Sequence, residues 1–281
     1  MATLGMVKVF DDVTGHRRAA TIIKNHSTNT QDIREVALAG LDLSSCRQIL
    51  DLGCGFGFFT EGLKGKVHPD AIVTGVDVIG DYEEPFLDAC RHAGVKGRFL
   101  PARASLIGEF AAATFDLVLC SYALYFFPRI IPYLARITRE KGIFITITHN
   151  RDNMRELIEA VKRVLPEAGA GNKRSLPVEK LIAGFSSENG AALLSPWFSR
   201  VQAIGYHNSL IFSPDDIREL LEYFRFKTLF FLSETPCDVQ TVTALLAGQL
   251  QRIAVAQNRF VLLKDDGIFI CTDPQFERKA S

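Results

Sequence analysis

The sequence predicts an α/β fold with a mostly parallel sheet, and two observations near its start support this. Residues 48–60 form an apolar strand ending in Asp51, a turn with three glycines at alternate positions, and the start of an amphipathic helix. A second apolar strand, 71–76, is rich in β-branched residues and is followed by another acid, Asp77. Strands that alternate with helices build parallel sheets, which bind ligands at the carboxyl ends of their strands. The pattern indicates a nucleoside-binding protein.

The spacing of the glycines Gly53, Gly55 and Gly57 narrows the choice of ligand. Glycine permits a tight turn and lets a ligand approach bare backbone. A dinucleotide site usually shows G-x-G-x-x-G, which places a pyrophosphate at a helix N-terminus. Here one residue, not two, separates the second and third glycines. Asp77 lies 20 residues past Gly57, where an acid accepts hydrogen bonds from two ribose hydroxyls.

The pattern acid-x-G-x-G-x-G resembles motif I of the class I S-adenosylmethionine-dependent methyltransferases. In that family the glycine loop wraps the methionine and ribose parts of a cofactor that has no phosphate. The resemblance covers residues 48–150 well and the rest only loosely. It implies a Rossmann-like three-layer sandwich, with a mostly parallel seven-stranded sheet, an antiparallel edge strand and a helical cap.

The resemblance also implies a set of cofactor-binding residues at the strand ends. The family often has an Asp after the third strand for the adenine amino group, but the stretch 101–105 contains no acid. We therefore expect backbone at Ala104 or the Ser105 hydroxyl to replace it. The predicted cofactor-binding residues are Asp51, Gly53, Cys54, Gly55, Gly57, Asp77, Val78, Ala104, Ser105, Cys120 and Ser121. The predicted cofactor is S-adenosyl-L-methionine, without a metal.

Methyl transfer from a sulfonium is an in-line displacement, so the protein mainly positions and desolvates the reactants. A general base is needed only if the acceptor is a hydroxyl or a protonated amine. The candidates are His149, after the fifth strand, and His26, in a segment that the resemblance places as a lid, with His207 as a third. Aromatic residues near the strand ends suit an apolar or aromatic small molecule. The predicted substrate-binding residues are Tyr122, Tyr125, Tyr206 and His207.

The chain divides into four predicted segments. Residues 1–45 form the lid and a leading helix, 46–165 the cofactor-binding core, 166–257 an insertion and helical cap with the sixth strand at about 198–212, and 258–281 the closing strand or strands. The leading helix, 31–41, is expected to be capped by Asn29 or Thr30. Residues 260–272 fit either a hairpin or one bulged strand.

Composition excludes several classes of partner. Of the 281 residues, 47% are hydrophobic and 23% charged, with zero net charge and no basic stripe of the kind that binds nucleic acid. No apolar run reaches the ~18–20 residues that span a bilayer, and no signal-peptide pattern opens the chain. Six cysteines without C-x-x-C pairing favour a reducing cytoplasm. We expect a cytoplasmic monomer or homodimer with a small-molecule substrate and no nucleic-acid or membrane partner.

The leading prediction is a methyltransferase acting on a small, largely apolar or aromatic metabolite. One alternative is a nicotinamide-dependent oxidoreductase, since Asp77 would serve a dinucleotide equally well. That class usually has a Tyr-x-x-x-Lys or His/Asp catalytic pair, which the sequence does not show in place. A second alternative, a non-catalytic S-adenosylmethionine-binding protein, shares the fold, and no sequence feature excludes it.

Overall fold

The computed structural model describes residues 2–275, which divide into two compact units. The sheet unit contains residues 31–149, 184–206 and the chain from Asp266, whereas the helical unit contains residues up to Thr30, 150–183 and 207–265. These boundaries, at 30/31 and 149/150, differ from the predicted boundaries at 45/46 and 165/166. Each unit is described by itself below.

Helices and strands alternate along most of the described chain. The strands are β1 Gln48–Leu52, β2 Ile72–Asp77, β3 Lys96–Pro101, β4 Phe115–Ser121, β5 Thr138–His149, β6 Phe198–Tyr206, β7 Ser209–Phe212, β8 Phe260–Leu263 and β9 Asp266–Pro274. The helices are α1 Ala2–Val7, α2 Val13–His26, α3 Ile33–Leu38, α4 Phe58–Glu61, α5 Glu83–Ala93, α6 Ile131–Ile137, α7 Arg155–Val164, α8 Pro177–Gly184, α9 Gly190–Leu194, α10 Ile217–Phe226, α11 Thr228–Leu232 and α12 Val239–Gln257. Along residues 2–275, no helix combines the length and the apolar character needed to cross a bilayer.

The sheet unit is built on a seven-stranded sheet in the order β3-β2-β1-β4-β5-β9-β6. The first five of these strands pair in parallel, and β9 pairs antiparallel with both β5 and β6. Helices α5, α6 and α9 pack against β3, β5 and β6. The predicted α/β, Rossmann-like fold with a mostly parallel seven-stranded sheet is confirmed.

One detail of the predicted sheet needs correction, because the antiparallel strand is not at the edge. β9 lies one position inside it, and β6 forms the edge. The burial of the two strands explains this order. The first six residues of β9 are all buried, whereas β6 is largely exposed between its ends. A strand that is buried on both faces and paired along both edges suits an interior position, and a half-exposed strand suits the edge of the sheet.

The centre of the sheet is apolar, as expected for parallel strands covered on both faces. Ile49 and Leu50 of β1 and Leu117, Val118 and Leu119 of β4 are fully buried. These two strands lie side by side and in parallel. Their carboxyl ends, after residues 52 and 121, therefore lie next to each other at one edge of the sheet.

The helical unit has its own two-stranded sheet, in which β7 and β8 pair antiparallel. The predicted sixth strand at 198–212 is therefore two strands in different sheets, and residues 260–272 are neither a hairpin nor one bulged strand. Polar contacts lie at the break: Asn208 N–H donates to Asp265 Oδ1 at 2.8 Å, and Lys264 N–H donates to the Asn208 carbonyl at 3.0 Å.

Capping side chains mark where helices α3 and α10 begin. The predicted cap of the leading helix is wrong, because α3 begins after Asp32, whose carboxylate accepts from Arg34 N–H at 2.8 Å. A capping box precedes α10, where the Ser213 hydroxyl and backbone N–H both donate to Asp216. Such caps satisfy N–H groups that a helix leaves open at its first turn.

Candidate active site

The glycine loop after β1 has a backbone that favours glycine at all three positions. Gly53, Gly55 and Gly57 have φ angles of +69°, +49° and +81°, a region where side chains are strained. A Cβ on Gly53 would lie 2.5 Å from Cβ of Ala123, and one on Gly57 would lie 2.5 Å from Cβ of Ala89. The loop therefore packs directly against the segment after β4 and against α5.

Asp77 links this loop to the end of β2. Its Oδ2 accepts from Gly55 N–H at 2.9 Å, and its Oδ1 accepts from Ile79 N–H at 3.1 Å. Burial raises the pKa of the carboxyl group, and these backbone hydrogen bonds oppose that rise. Each carboxylate oxygen can accept more than one hydrogen bond, so the side chain can still receive ribose hydroxyls.

Asp51, the acid that ends the sequence motif's strand, points into the protein. Its side chain is buried, and Oδ2 accepts from the Thr60 hydroxyl at 2.7 Å. Burial raises its pKa to about 7, against the opposing effect of the Thr60 hydrogen bond, and the nearby Asp77 adds to the rise. Asp51 thus ties β1 to α4 beneath the loop.

The raised pKa of Asp51 makes stability depend on pH. The folded-state pKa exceeds the ordinary value of 3.8. The contribution of Asp51 to the free energy of unfolding is therefore fully present below about pH 4 and is lost as pH rises toward 7. We expect Asp51→Asn, which does not titrate, to become more stable relative to wild type by about 1–3 kcal/mol between pH 5 and pH 8. Urea denaturation of both proteins at the two pH values measures this. A constant difference would contradict it.

A hydrogen-bonded network joins the ends of three strands. Asp266 Oδ2 accepts from the Tyr122 hydroxyl at 2.7 Å, and Asp266 Oδ1 lies 2.7 Å from Nδ1 of His149. The His149 ring lies 4.9 Å from the Tyr122 ring and stacks on Tyr125 at 5.7 Å between centroids. Both His149 and Asp266 are 7% exposed. Burial and the charge of Asp266 raise the pKa of Tyr122 well above its ordinary value, so the phenol stays protonated and donates.

Asp266 is a residue that sequence reasoning missed. It opens β9, and the sheet register places it opposite His149 on one side and Tyr206 on the other. The Tyr206 hydroxyl donates to the Gln31 carbonyl at 2.6 Å, and burial followed by the charge of Asp266 raises the pKa of Tyr206. In the sequence, Asp265-Asp266-Gly267 resembles a turn. The sequence feature that could have identified Asp266 is an acid directly before a buried strand.

The remaining predicted cofactor residues of the sheet unit lie at the same ends of its strands. Ser121 ends β4, and its buried hydroxyl has no hydrogen-bond partner among the described residues, so a ligand would satisfy it. Val78 follows β2 and is 47% exposed. Ala104 and Ser105 form a 3₁₀ turn shortly after β3. The thiols of Cys54 and Cys120 are buried, which raises the pKa of each well above its ordinary value.

The two other candidate histidines belong to the helical unit. His26 Nδ1 lies 2.9 Å from the Ile211 carbonyl oxygen and Nε2 lies 3.0 Å from Glu219 Oε2, while the ring stacks on Phe212. Both ring nitrogens therefore face oxygen atoms, which suits a structural role. The His207 side chain is 89% exposed and its Nδ1 lies 3.2 Å from Asp265 Oδ2. Of the three candidates, His149 lies at a strand end of the sheet unit beside the buried carboxylate of Asp266.

The described residues contain no group of three or more His, Cys, Asp or Glu side chains arranged to hold a metal ion. The site instead offers the glycine loop, the Asp77 carboxylate and the open Ser121 hydroxyl. A glycine loop beside an acid at the end of the second strand suits a nucleoside ligand, from whose ribose hydroxyls the carboxylate can accept hydrogen bonds. The mostly parallel seven-stranded sheet is the one implied by the resemblance of the glycine motif to class I S-adenosylmethionine-dependent methyltransferases.

Comparison with known proteins agrees with that class. Residues 50–146 match the family model described as a methyltransferase domain. The matched stretch contains the glycine loop and Asp77. An uncharacterised methyltransferase of Schizosaccharomyces pombe is 28% identical over 138 residues, which are 46% of this chain. The match spans about half the length (50%) of that relative.

Two solved structures share the fold at low sequence identity. One, from Bacillus halodurans C-125 and assigned as a methyltransferase, has a TM-score of 0.54 and 11% identity, and the alignment covers 86% of this chain and 98% of that one. The other is phosphoethanolamine N-methyltransferase 2 from Haemonchus contortus, in complex with phosphomonomethylethanolamine and S-adenosylhomocysteine. Its TM-score is 0.53 at 12% identity, with 98% of this chain and 61% of that chain covered.

Proposed function

We propose that this protein transfers the methyl group of S-adenosylmethionine to a small, largely apolar or aromatic metabolite. The observation that carries the proposal is the position of the Tyr122–Asp266–His149 network. The glycine loop packs on Ala123, which directly follows Tyr122. A cofactor loop and a buried histidine held by a carboxylate thus lie at the same edge of one sheet.

The strand ends supply the parts that this cofactor needs. Asp77 would accept from the ribose hydroxyls, while the bare backbone of the glycine loop would lie along the ribose and methionine parts. Val78 and the turn at Ala104 and Ser105 would face the adenine. The Ser121 hydroxyl would bind the amino acid tail. When bound, the cofactor supplies an electrophilic methyl group on a sulfonium sulfur.

The chain's own task is then to hold the acceptor and remove water from it. Tyr125 and Tyr206 are each about nine-tenths buried. The rings of Tyr122 and Tyr125 lie next to His149, and Tyr206 lies opposite Asp266 in the sheet. Such walls suit a flat or apolar acceptor. Correct positioning of two reactants contributes about 7–11 kcal/mol toward lowering the barrier. His149 is the proposed base.

Small-molecule methylation has a precedent on this fold. The Haemonchus contortus enzyme, with a TM-score of 0.53, is seen with a small phosphorylated amine and the demethylated cofactor. The absence after β4 of the N-P-P-[FY] sequence used by enzymes that methylate nucleic-acid amino groups supports the same choice. His26 and His207 are left out of the proposed mechanism because of the contacts and exposure described above.

Calorimetry with two ligands tests the proposal. We expect the purified protein to bind S-adenosylhomocysteine in a saturable way and not to bind NADH. Tritiated S-adenosylmethionine, presented with a panel of aromatic and apolar acceptors, should then label at least one acceptor. Binding of NADH alone would overturn the cofactor assignment. Binding of S-adenosylhomocysteine without transfer to any acceptor would favour a non-catalytic binding protein.

A further inference from the structure

We propose that Asp266 is a positioning residue that keeps the proton of neutral His149 on Nδ1, and that the methyl acceptor is a heteroatom that gives up a proton to Nε2. The acceptor class is then a hydroxyl or an amine, not a thioether. This inference rests on the proposed function and specifies the chemistry of the same site.

The geometry of the carboxylate supports the role of Asp266. Its two oxygens are divided between two partners, with the Tyr122 hydroxyl on Oδ2 and His149 Nδ1 on Oδ1, each at 2.7 Å. The side chains of His149 and Asp266 are 9% and 6% exposed. An ionised carboxylate only accepts hydrogen bonds, so a nitrogen at this distance carries the hydrogen. Neutral imidazole then has its lone pair on Nε2.

The backbone of Tyr122 adopts a strained conformation while its side chain holds the Asp266 carboxylate. Tyr122 has a φ of +53°, a left-handed conformation that is strained for a residue other than glycine. The conformation directs its hydroxyl to Asp266 while the next residue, Ala123, contacts the glycine loop. The carboxylate is therefore fixed from the cofactor side by Tyr122 and fixes His149 in turn.

The proton balance sets the acceptor class. As the bond from the acceptor heteroatom to the methyl carbon forms, the electron pair of the S–CH₃ bond stays on sulfur, and the heteroatom's proton passes to Nε2 of His149. The imidazolium formed lies against the Asp266 carboxylate, which compensates its charge in a buried place. A thioether has no proton to transfer and gains nothing from the pair.

Besides His149 itself, the titratable groups in and around the His149–Asp266 pair come from three strands. Tyr122 and Tyr125 follow β4, Tyr206 ends β6, and Asp266 begins β9. Burial raises the pKa of all three tyrosines, so each remains a neutral phenol. Asp266 is the carboxylate among them, and its removal should therefore change the state of His149 more than the loss of any one phenol.

Nitrogen NMR of the full-length protein, labelled with ¹⁵N-histidine and saturated with S-adenosylhomocysteine, tests the positioning role. The His149→Gln variant identifies the signals of His149. We expect neutral wild-type His149 to carry its proton on Nδ1. Asp266→Asn should increase the Nε2–H form, because an amide offers one acceptor where the carboxylate offers two. As a matched control, Tyr206→Phe removes a hydroxyl that donates to the Gln31 carbonyl and should leave the tautomer unchanged.

Two results would overturn the inference: a wild-type His149 protonated on Nε2, or an Asp266→Asn variant with an unchanged tautomer. The first is measured on the wild-type protein, with His149→Gln used only to identify the signals, so it holds even if Asp266→Asn folds poorly. Failure of the proposed function is seen separately, as absent binding of S-adenosylhomocysteine in the calorimeter.

A kinetic comparison tests the acceptor class, with catechol, phenethylamine and thioanisole as hydroxyl, amine and thioether probes. We expect methylation of catechol or phenethylamine, which distinguishes the two proton-bearing classes, and none of thioanisole. With the accepted probe, Asp266→Asn should lower kcat roughly 10²-fold or more and leave KM within about threefold. Preferential methylation of thioanisole, or an unchanged kcat, would contradict the proposal.

Discussion

Replacing His149 by alanine is expected to slow methyl transfer by ~10²–10⁴-fold, the usual contribution of a positioned acid–base group. The substitution removes the proposed proton acceptor and leaves the glycine loop and Asp77 in place. Binding of S-adenosylhomocysteine should therefore be unchanged. Initial rates with tritiated S-adenosylmethionine measure the first effect, and calorimetry measures the second.

Two further variants make this result specific. His149→Gln keeps polar bulk near Asp266 and should be as slow as the alanine variant, because an amide does not take up the proton. His92→Ala removes an exposed histidine at the end of α5 and should keep the wild-type rate. Full activity of His149→Ala would remove this residue as the base. Loss of S-adenosylhomocysteine binding in that variant would instead indicate structural damage.

Replacing Asp77 by alanine is expected to weaken the binding of S-adenosylhomocysteine by at least ~10²-fold. The ribose hydroxyls would lose a charged acceptor, and hydrogen bonds to charged groups contribute about 1.5–3 kcal/mol each. The backbone N–H of Gly55 would lose its acceptor as well, so the loop itself would be less well fixed. Calorimetric titration at one pH, with thermal unfolding of the same samples, measures both consequences.

Asp77→Asn and Asp81→Asn serve as comparisons. The amide keeps one acceptor oxygen without the charge, so its affinity should fall between those of wild type and Asp77→Ala. Asp81 is an exposed acid four residues farther along, and its neutralisation should leave affinity unchanged. Equal affinity of Asp77→Ala and wild type would disprove the assignment of the acid after β2 to the ribose.

The parts of the site that depend on local sequence were predictable. The glycine spacing, the acids Asp51 in β1 and Asp77 at the end of β2, and the apolar runs of β1 and β4 are all patterns within a few residues of sequence. Gly53 and Gly57 illustrate this, since each has a positive φ and close neighbours that exclude a side chain. Asp51 shows the limit: the motif placed it at the site, and the structure uses its carboxylate on Thr60.

The parts that depend on distant pairing were not predictable. Asp266 contacts His149 across 117 residues of sequence, and nothing near Asp266 indicates which strand its own strand will join. The division of residues 198–212 into β6 and β7 has the same origin, since it depends on contacts between Asn208 and the stretch 264–265. A local pattern shows that strands exist there, and their partners are fixed only by the folded chain.

The direction of β9 determines which part of the sequence supplies the carboxylate beside His149. Because β9 runs against β5, its first residue arrives at the edge where β4 and β5 finish. The carboxylate thus comes from the last described strand, far outside the stretch 50–146 that matches the methyltransferase family. A protein truncated before Asp266 would keep the glycine loop and Asp77, and would lose the group that orients His149. The residues proposed to bind the cofactor and the carboxylate proposed to orient the base therefore come from stretches of the sequence that lie far apart.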